Sequence, residues 1–418
     1  MRNKIYNLLR RSEKYAHTDM IYVAKGGFWL TFNRIISSAA TFLLAITFAN
    51  LLPKEAYGIY KYILSIAGIL TIFTLPGMDQ AITQTVARGY EGSLTLILKT
   101  KIKWGLLAGL TSLIFAVYYH LNNNPLLAAS FLIATVFLPF VDLFDIYNSF
   151  LKGKKNFKFS AKYQMISQIA ATIILIITLL ITKNIPLVLL AYFASWIGLR
   201  FIFFKTTLRK FSPNQNIDPQ TISYGKHLSL ASVFGIISSQ IDKILVFHYL
   251  GAIELAIYSF AIAIPEQIKG FSSSLAFLML PKFSEKKINE IKTGIKNKII
   301  KLFFLGILVV GLYILIAPFI YNTFFPQYKE SIFYSRLFAL SMLNVALMPS
   351  DVFLVAKKKI KEQYLSNFIQ SIFKIIIMAI FILWQGLLGL IIARILSRFF
   401  GSLINLFFYY RSSSDAEN

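Results

Sequence analysis

Apolar residues along this chain fall in long, almost uncharged blocks, with no strict alternation and no single helical stripe. About 20 such residues cross about 30 Å of hydrocarbon at 1.5 Å per residue. A backbone inside lipid must satisfy its own hydrogen bonds, so each block predicts a helix. The blocks predict twelve, over 27–52, 57–78, 103–120, 125–151, 163–182, 186–206, 227–250, 255–280, 300–321, 331–356, 363–384 and 387–410. The pattern of a membrane barrel is absent, and the expected fold is all-α and polytopic.

The charges between the blocks orient them. With twelve crossings, both termini and every second loop share one side, and thirty-one Lys and Arg fall there. They include Arg2, Lys4, Arg10, Arg11 and Lys14 near the start, Lys99, Lys101 and Lys103, the Lys152–Lys162 loop, and Lys357, Lys358 and Lys359. The other side holds only Lys54, Lys61, Lys183 and Lys329. Cationic loops stay in the cytoplasm, so this split predicts cytoplasmic termini. The run Phe28–Leu52 is too long for a signal-peptide core and reads as an uncleaved first helix.

The expected organisation is a cytoplasmic segment 1–26, an N-lobe 27–209, a polar linker 210–225, a C-lobe 226–411 and a tail 412–418. The halves resemble each other. Leu52-Pro53-Lys54-Glu55-Ala56-Tyr57-Gly58-Ile59-Tyr60 aligns with Leu250-Gly251-Ala252-Ile253-Glu254-Leu255-Ala256-Ile257-Tyr258, and Phe150–Lys155 aligns with Phe353–Lys358 at a shift of 203. Repeats with an even number of helices share one orientation and are related by an axis along the membrane normal, a transporter architecture with its site between the lobes.

The formal net charge of +25 comes from 43 Lys and Arg against 18 Asp and Glu. Because the excess sits in loops between spans, it orients the protein, and no nucleic-acid partner is expected. There are no cysteines, and His17, His120, His227 and His248 lack metal-ligand spacing. No G-x-x-x-x-G-K-[ST] loop is present. Neither a cofactor nor a catalytic site is expected, and the chain reads as no enzyme.

Ionisable groups inside apolar helices carry the chemistry. Each costs about 2.5–3.5 kcal/mol at the bilayer centre on the cheapest scale, so it should face a cavity or a partner. The spans hold eight cations, Arg34, Arg200, Lys243, Lys269, Arg336, Lys374, Arg394 and Arg398, and five anions, Asp142, Asp145, Asp242, Glu266 and Asp351. Arg200 and Arg336 lie near helix ends and are expected to snorkel. Glu266 and Lys269 sit at i,i+3 and can neutralise each other. Asp142 and Asp145 share a face with no cation in the same turn, so they read as an ion-coupling pair. The candidate substrate-binding set is Arg34, Lys243, Lys269, Lys374, Arg394 and Arg398. The candidate coupling or gate set is Asp142, Asp145, Asp242, Glu266 and Asp351.

Several motifs resemble the polysaccharide-transport flippases, whose superfamily also holds multidrug extruders and the peptidoglycan-precursor flippase. They are Asn50–Tyr60, Pro76-Gly77-Met78-Asp79-Gln80, Gly153-Lys154-Lys155-Asn156-Phe157, Gln240-Ile241-Asp242-Lys243-Ile244 with Leu250-Gly251 and Tyr258, and Pro281-Lys282-Phe283-Ser284. Ala256 stands where the first repeat has Gly58, and twelve helices are read where some branches have fourteen. The resemblance implies a flippase for undecaprenyl-diphosphate-linked repeat units of O antigen, capsule or another surface glycan. It implies an inner-membrane location, contact with membrane lipids, and a polysaccharide polymerase and a chain-length regulator as further partners. Two rival readings are a cation-coupled multidrug extruder of the same superfamily and a membrane polysaccharide polymerase or glycosyltransferase. A cavity for cationic drugs should be acidic, whereas the intramembrane charges here sum positive. Enzymes on periplasmic sugar generally need an outer loop longer than any in this sequence.

Overall fold

The computed structural model describes residues 20–270, 276, 279–280, 283–285 and 288–414. The first nineteen residues, Ser273, Pro281, Lys282, Lys286, Lys287 and the last four residues lie outside the described residues, and with them the cationic start of the chain and the end of the predicted helix 255–280.

The described residues form helices and turns with no strand. In chain order the helices are α1 Met20–Leu51, α2 Lys54–Leu70, α3 Gly77–Ala87, α4 Ser93–Leu121, α5 Pro125–Phe137, α6 Ile146–Gly153, α7 Phe157–Ile181, α8 Ile185–Lys210, α9 Thr221–Leu250, α10 Ala252–Gly270, α11 Ile288–Phe324, α12 Ser331–Ala339, α13 Met348–Ala356 and α14 Ile360–Ser414. Among the described residues nine helical stretches are long and apolar enough to cross a membrane. Three more crossings escape that criterion for identifiable reasons. The long α14 is two helices, broken at Gln385 and at Gly386, whose φ is +57°. The stretch α5–α6 is interrupted part-way. The α10 helix carries Glu254, Glu266 and Lys269, and its inner end is not described. The protein is an all-α polytopic membrane protein of about twelve crossings, six in each half of the sequence.

Local sequence explains the starts and ends. Asn124 and Asn184 accept hydrogen bonds from the backbone N–H of Leu127 (3.1 Å) and Leu187 (3.3 Å), and Pro125 and Pro186 supply the fixed φ of a first turn. The cation-rich ends run further than the apolar blocks: α4 begins at Ser93 and α11 at Ile288. Hydropathy marks only the lipid-embedded part of a helix, and these extensions are cationic. Lys101, expected in a loop, is instead 1% exposed and pairs with Asp79 at 3.0 Å.

The fourth crossing of each half is tightened at its middle. Residues Leu138–Phe140 form a 3-10 turn between α5 and α6, and Leu340–Leu347 form one between α12 and α13. Both crossings end in the same turn. Lys154, Lys155 and Asn156 donate their N–H groups to Phe150, Lys152 and Leu151; Lys357, Lys358 and Lys359 donate to Phe353, Val355 and Leu354. Every donor and acceptor is shifted by 203 residues, and Lys155 (φ +59°) and Lys358 (φ +53°) hold the same left-handed position. The duplication seen as faint sequence similarity is therefore present as geometry.

By packing, the chain divides into two compact units, one of Gly26–Ile244 and one of Leu245 onward together with the residues before Gly26. The first unit runs through the expected linker 210–225 and takes in most of α9. The cause is a close approach of α3 to α9. The Gly77 N–H donates to Ser229 Oγ at 3.0 Å, Thr85 and Thr221 hydroxyls meet at 3.1 Å, and a Cβ on Gly77 would lie 2.6 Å from the Gly225 carbonyl oxygen.

Candidate functional site

In the second unit the intramembrane charges converge. Glu266, on α10, faces Arg394 and Arg398, one helical turn apart on the second half of α14. Arg394 Nη2 lies 2.6 Å from Glu266 Oε1, and Arg398 Nη2 bonds the same oxygen. Each guanidinium has a second anchor: Arg394 Nη1 donates to the Tyr258 hydroxyl at 2.5 Å, and Arg398 Nη1 donates to Ser341 Oγ at 2.6 Å. Phe338 lies under both, 5.2 and 4.6 Å from the two guanidinium carbons. The side chains are 11% and 12% exposed, that of Glu266 32%. Two fixed cations thus share one carboxylate and leave one positive charge in excess. Lys269, half-buried one turn beyond Glu266, adds to it. The planar fork of arginine suits such a place, since it holds several partners at once and keeps its charge.

The expected Glu266–Lys269 neutralisation is therefore not the whole account of Glu266, whose Oε1 serves the two arginines. Asp351 lies in a separate network. Asn405 donates to Asp351 Oδ1 at 2.7 Å, and Ser366 and Gln370 donate to Asn405 Oδ1, tying α13 to both halves of α14. Lys374 is half-buried one turn from Gln370. Arg336, expected to snorkel, gives its Nε–H to the Ile314 carbonyl at 2.9 Å.

In the first unit Asp142 and Asp145 lie in the interruption between α5 and α6. No cation lies in their own turn, but Arg200 from α8 reaches both: Nη1 to Asp142 Oδ1 is 3.5 Å, and Nε to Asp145 Oδ1 is 3.6 Å. Nη1 also donates to the Val141 carbonyl at 2.5 Å, and Thr74 donates to Asp142 Oδ2 at 3.1 Å. Arg200 thus does not snorkel: an inward bond to a carbonyl freed by the helix interruption and two carboxylates hold it. Two carboxylates against one guanidinium leave one negative charge in excess.

Arg200 and Arg398 each reach the fourth crossing of their own unit, at the Val141 carbonyl and at Ser341.

A further group was half seen. Asp242 is fully buried on α9, Lys243 Nζ donates to Gln240 Oε1 at 2.8 Å, and Lys61 of α2, counted from the sequence among the outer-side cations, lies within electrostatic reach of both Asp242 and Lys243. Arg34 is exposed on α1, next to Asn33, whose amide donates to Gln164 at 2.9 Å. It belongs to the first unit, and Arg394 and Arg398 to the second.

Residues 23–286 match the profile of the polysaccharide biosynthesis protein family. The chain belongs to that family. Among curated proteins this family member is 24% identical over 317 residues to an uncharacterized membrane protein of Methanocaldococcus jannaschii, covering 69% of this chain and 74% of that one. It is 24% identical over 278 residues to an uncharacterized membrane protein in the cps region of Klebsiella pneumoniae, covering 63% of this chain and 56% of that one. Two solved structures share its fold. An inward-facing multidrug resistance MATE family transporter of the MOP superfamily superposes with a TM-score of 0.69 at 15% identity, over 91% of this chain and 95% of the other. The lipid II flippase MurJ, in an inward closed conformation, gives 0.70 at 17%, over 92% and 87%.

Proposed function

We propose that this polysaccharide biosynthesis protein is a flippase that carries undecaprenyl-diphosphate-linked oligosaccharide repeat units from the cytoplasmic to the periplasmic leaflet of the inner membrane by alternating access. The observation that carries the reading is the pair Arg394 and Arg398, nearly buried and sharing one carboxylate. A diphosphate brings negative charge into hydrocarbon, and only a fixed positive surplus offsets its lost hydration. In this reading Arg394 and Arg398 meet the diphosphate with Lys269 and Lys374 of the same unit, and Arg34 and Lys243 are proposed as substrate contacts of the first unit. The two hydroxyl anchors and Phe338 keep the guanidiniums in place while Glu266 yields its share of them to the incoming phosphate. The surplus carboxylate of the Asp142–Asp145–Arg200 group takes up a proton or sodium ion, and its filling biases the inward–outward equilibrium. The family assignment and the K. pneumoniae relative from a cps region support a surface-glycan substrate.

The test is a strain deleted for the gene, analysed for lipid-linked oligosaccharide. The intermediate should accumulate, wild type should clear it, and Arg394→Ala with Arg398→Ala should not, at equal membrane levels of protein. Clearance by the double variant would refute the assignment of the site. Drug hypersensitivity of the deletion strain without any accumulation would favour the extruder reading.

A further inference from the structure

Away from these charges, the first unit contains a cleft of about 550 Å³, within the range of about 300–1,000 Å³ typical of small-molecule sites. One wall is the first turns of α4 with Leu94, Leu96 and Leu98; a second is Leu208 near the end of α8; the third is the connecting segment through Pro213 and Ile217. That third wall is held in place. Asn214 donates to the Gly89 carbonyl at 2.8 Å and the Gly92 N–H donates to the Asn216 carbonyl at 2.9 Å, while Asp218 N–H donates to Ser93 Oγ at 2.9 Å. The cleft is thus pre-formed, lined by leucines together with Thr95, Lys99, Asn214 and Gln215, and lies at the cation-rich ends of α4 and α8.

Its charge is one-sided. The two acids nearby are already neutralised: Glu91 pairs with Lys154 and Asp218 with Arg88, both at 2.5 Å. Lys99 lines the cleft and is exposed. With Thr95 and Lys103, both exposed, it forms a row at i,i+4 spacing, while Lys101 between them is turned inward to Asp79. Trp104, 37% exposed with Lys226 5.6 Å from its ring, marks the level of the membrane interface.

We propose that this cleft binds one anionic phospholipid of the leaflet that meets the cation-rich face, with its phosphate at Lys99 and an acyl chain against Leu96, Leu98, Leu208 and Ile217. Leucines outnumber cations on the lining, which favours a lipid over a soluble phosphate. The occupant is a resident lipid at the surface of one unit and is not the transported substrate. The bound headgroup extends the clamp on the 211–220 segment from the lipid side.

The test uses full-length protein in vesicles. Ile217→Trp is made in a background with Trp29, Trp104, Trp196 and Trp384 changed to Phe, so that emission reports from the cleft wall. Brominated phosphatidylglycerol should quench at a mole fraction about fivefold lower than brominated phosphatidylcholine, the discrimination expected of one cation near the surface. Lys99→Gln should erase the preference, Lys99→Arg should keep it, and Lys183→Gln, at the other end of α8, should leave it unchanged. Equal quenching by the two lipids in the parent, or a preference surviving Lys99→Gln, would overturn the proposal. Relief of quenching by millimolar inorganic phosphate would also overturn it and assign the cleft to a soluble anion.

Discussion

Removing the charge on Glu266 is the sharpest test of the arginine pair. In Glu266→Gln the side chain keeps its shape, but two guanidiniums 11% and 12% exposed then face each other with Tyr258 and Ser341 as neutral anchors. The amide oxygen can still accept from both guanidiniums, but the ion pair is gone, and removing one partner of a buried pair costs about 3–5 kcal/mol. The carboxylate is 32% exposed, so the lower figure applies, about 3 kcal/mol. For a unit of this size 1 kcal/mol moves the melting temperature by about 2–4 °C, so the variant should melt about 6–12 °C lower. Intrinsic fluorescence of the purified protein reads this, at one fixed scan rate because membrane-protein unfolding is rarely reversible. The decisive comparison is the double variant Glu266→Gln with Arg398→Gln. Taking away the surplus cation should restore part of the loss, and the double should melt above Glu266→Gln alone. A single variant as stable as wild type would refute the shared-carboxylate account, and so would a double whose loss is the sum of the two singles.

Arg200→Gln should also destabilise, by about 2–4 kcal/mol, since it leaves Asp142 and Asp145 without their cation, and adding Asp145→Asn should recover part of the loss in the same melting assay. Gly77→Ala should cut the yield of folded protein measured by size exclusion, because its Cβ would press on the backbone of α9; Gly198→Ala, with open space around it, should not. Reporter fusions at residue 418 and at Lys358 should read as cytoplasmic and a fusion at Asn123 as periplasmic; the reverse reading at residue 418 would remove the twelve-crossing topology. In proteoliposomes, Asp142→Asn and Asp145→Asn should weaken the dependence of flipping on an imposed proton or sodium gradient, and wild-type flipping indifferent to any gradient would end the coupling idea.

The order of crossings and the intramembrane charges were legible because both follow from the cost of polarity in lipid, which each residue carries alone. What the charges do with one another was not, because partners lie far apart in sequence: Glu266 meets arginines 128 and 132 residues away. A lone Arg200 near a helix end reads as a snorkelling side chain until the crossing opposite is known to be interrupted at Val141. The tightened stretches at Leu138–Phe140 and Leu340–Leu347 leave almost no trace in hydropathy, because a 3-10 turn differs from an α turn in winding and not in polarity. Lys101 was misplaced for a related reason. A lysine near the edge of an apolar block is compatible with loop or span, and a buried partner such as Asp79 decides between them.

The two matched turns at Lys155 and Lys358 have a consequence for biogenesis. Each places a lysine where the left-handed backbone costs any residue with a Cβ about 1 kcal/mol or more. Glycine there would relax the finished protein. While the chain is being inserted, however, nothing is folded, and in the topology that the cation split predicts these lysines are among the charges that hold their loops back from crossing. Lys155→Gly with Lys358→Gly should therefore give molecules that are individually sturdier and less uniformly oriented. At these two positions the demands of the nascent chain and of the mature fold point in opposite directions, and the residue present is the one that serves the nascent chain.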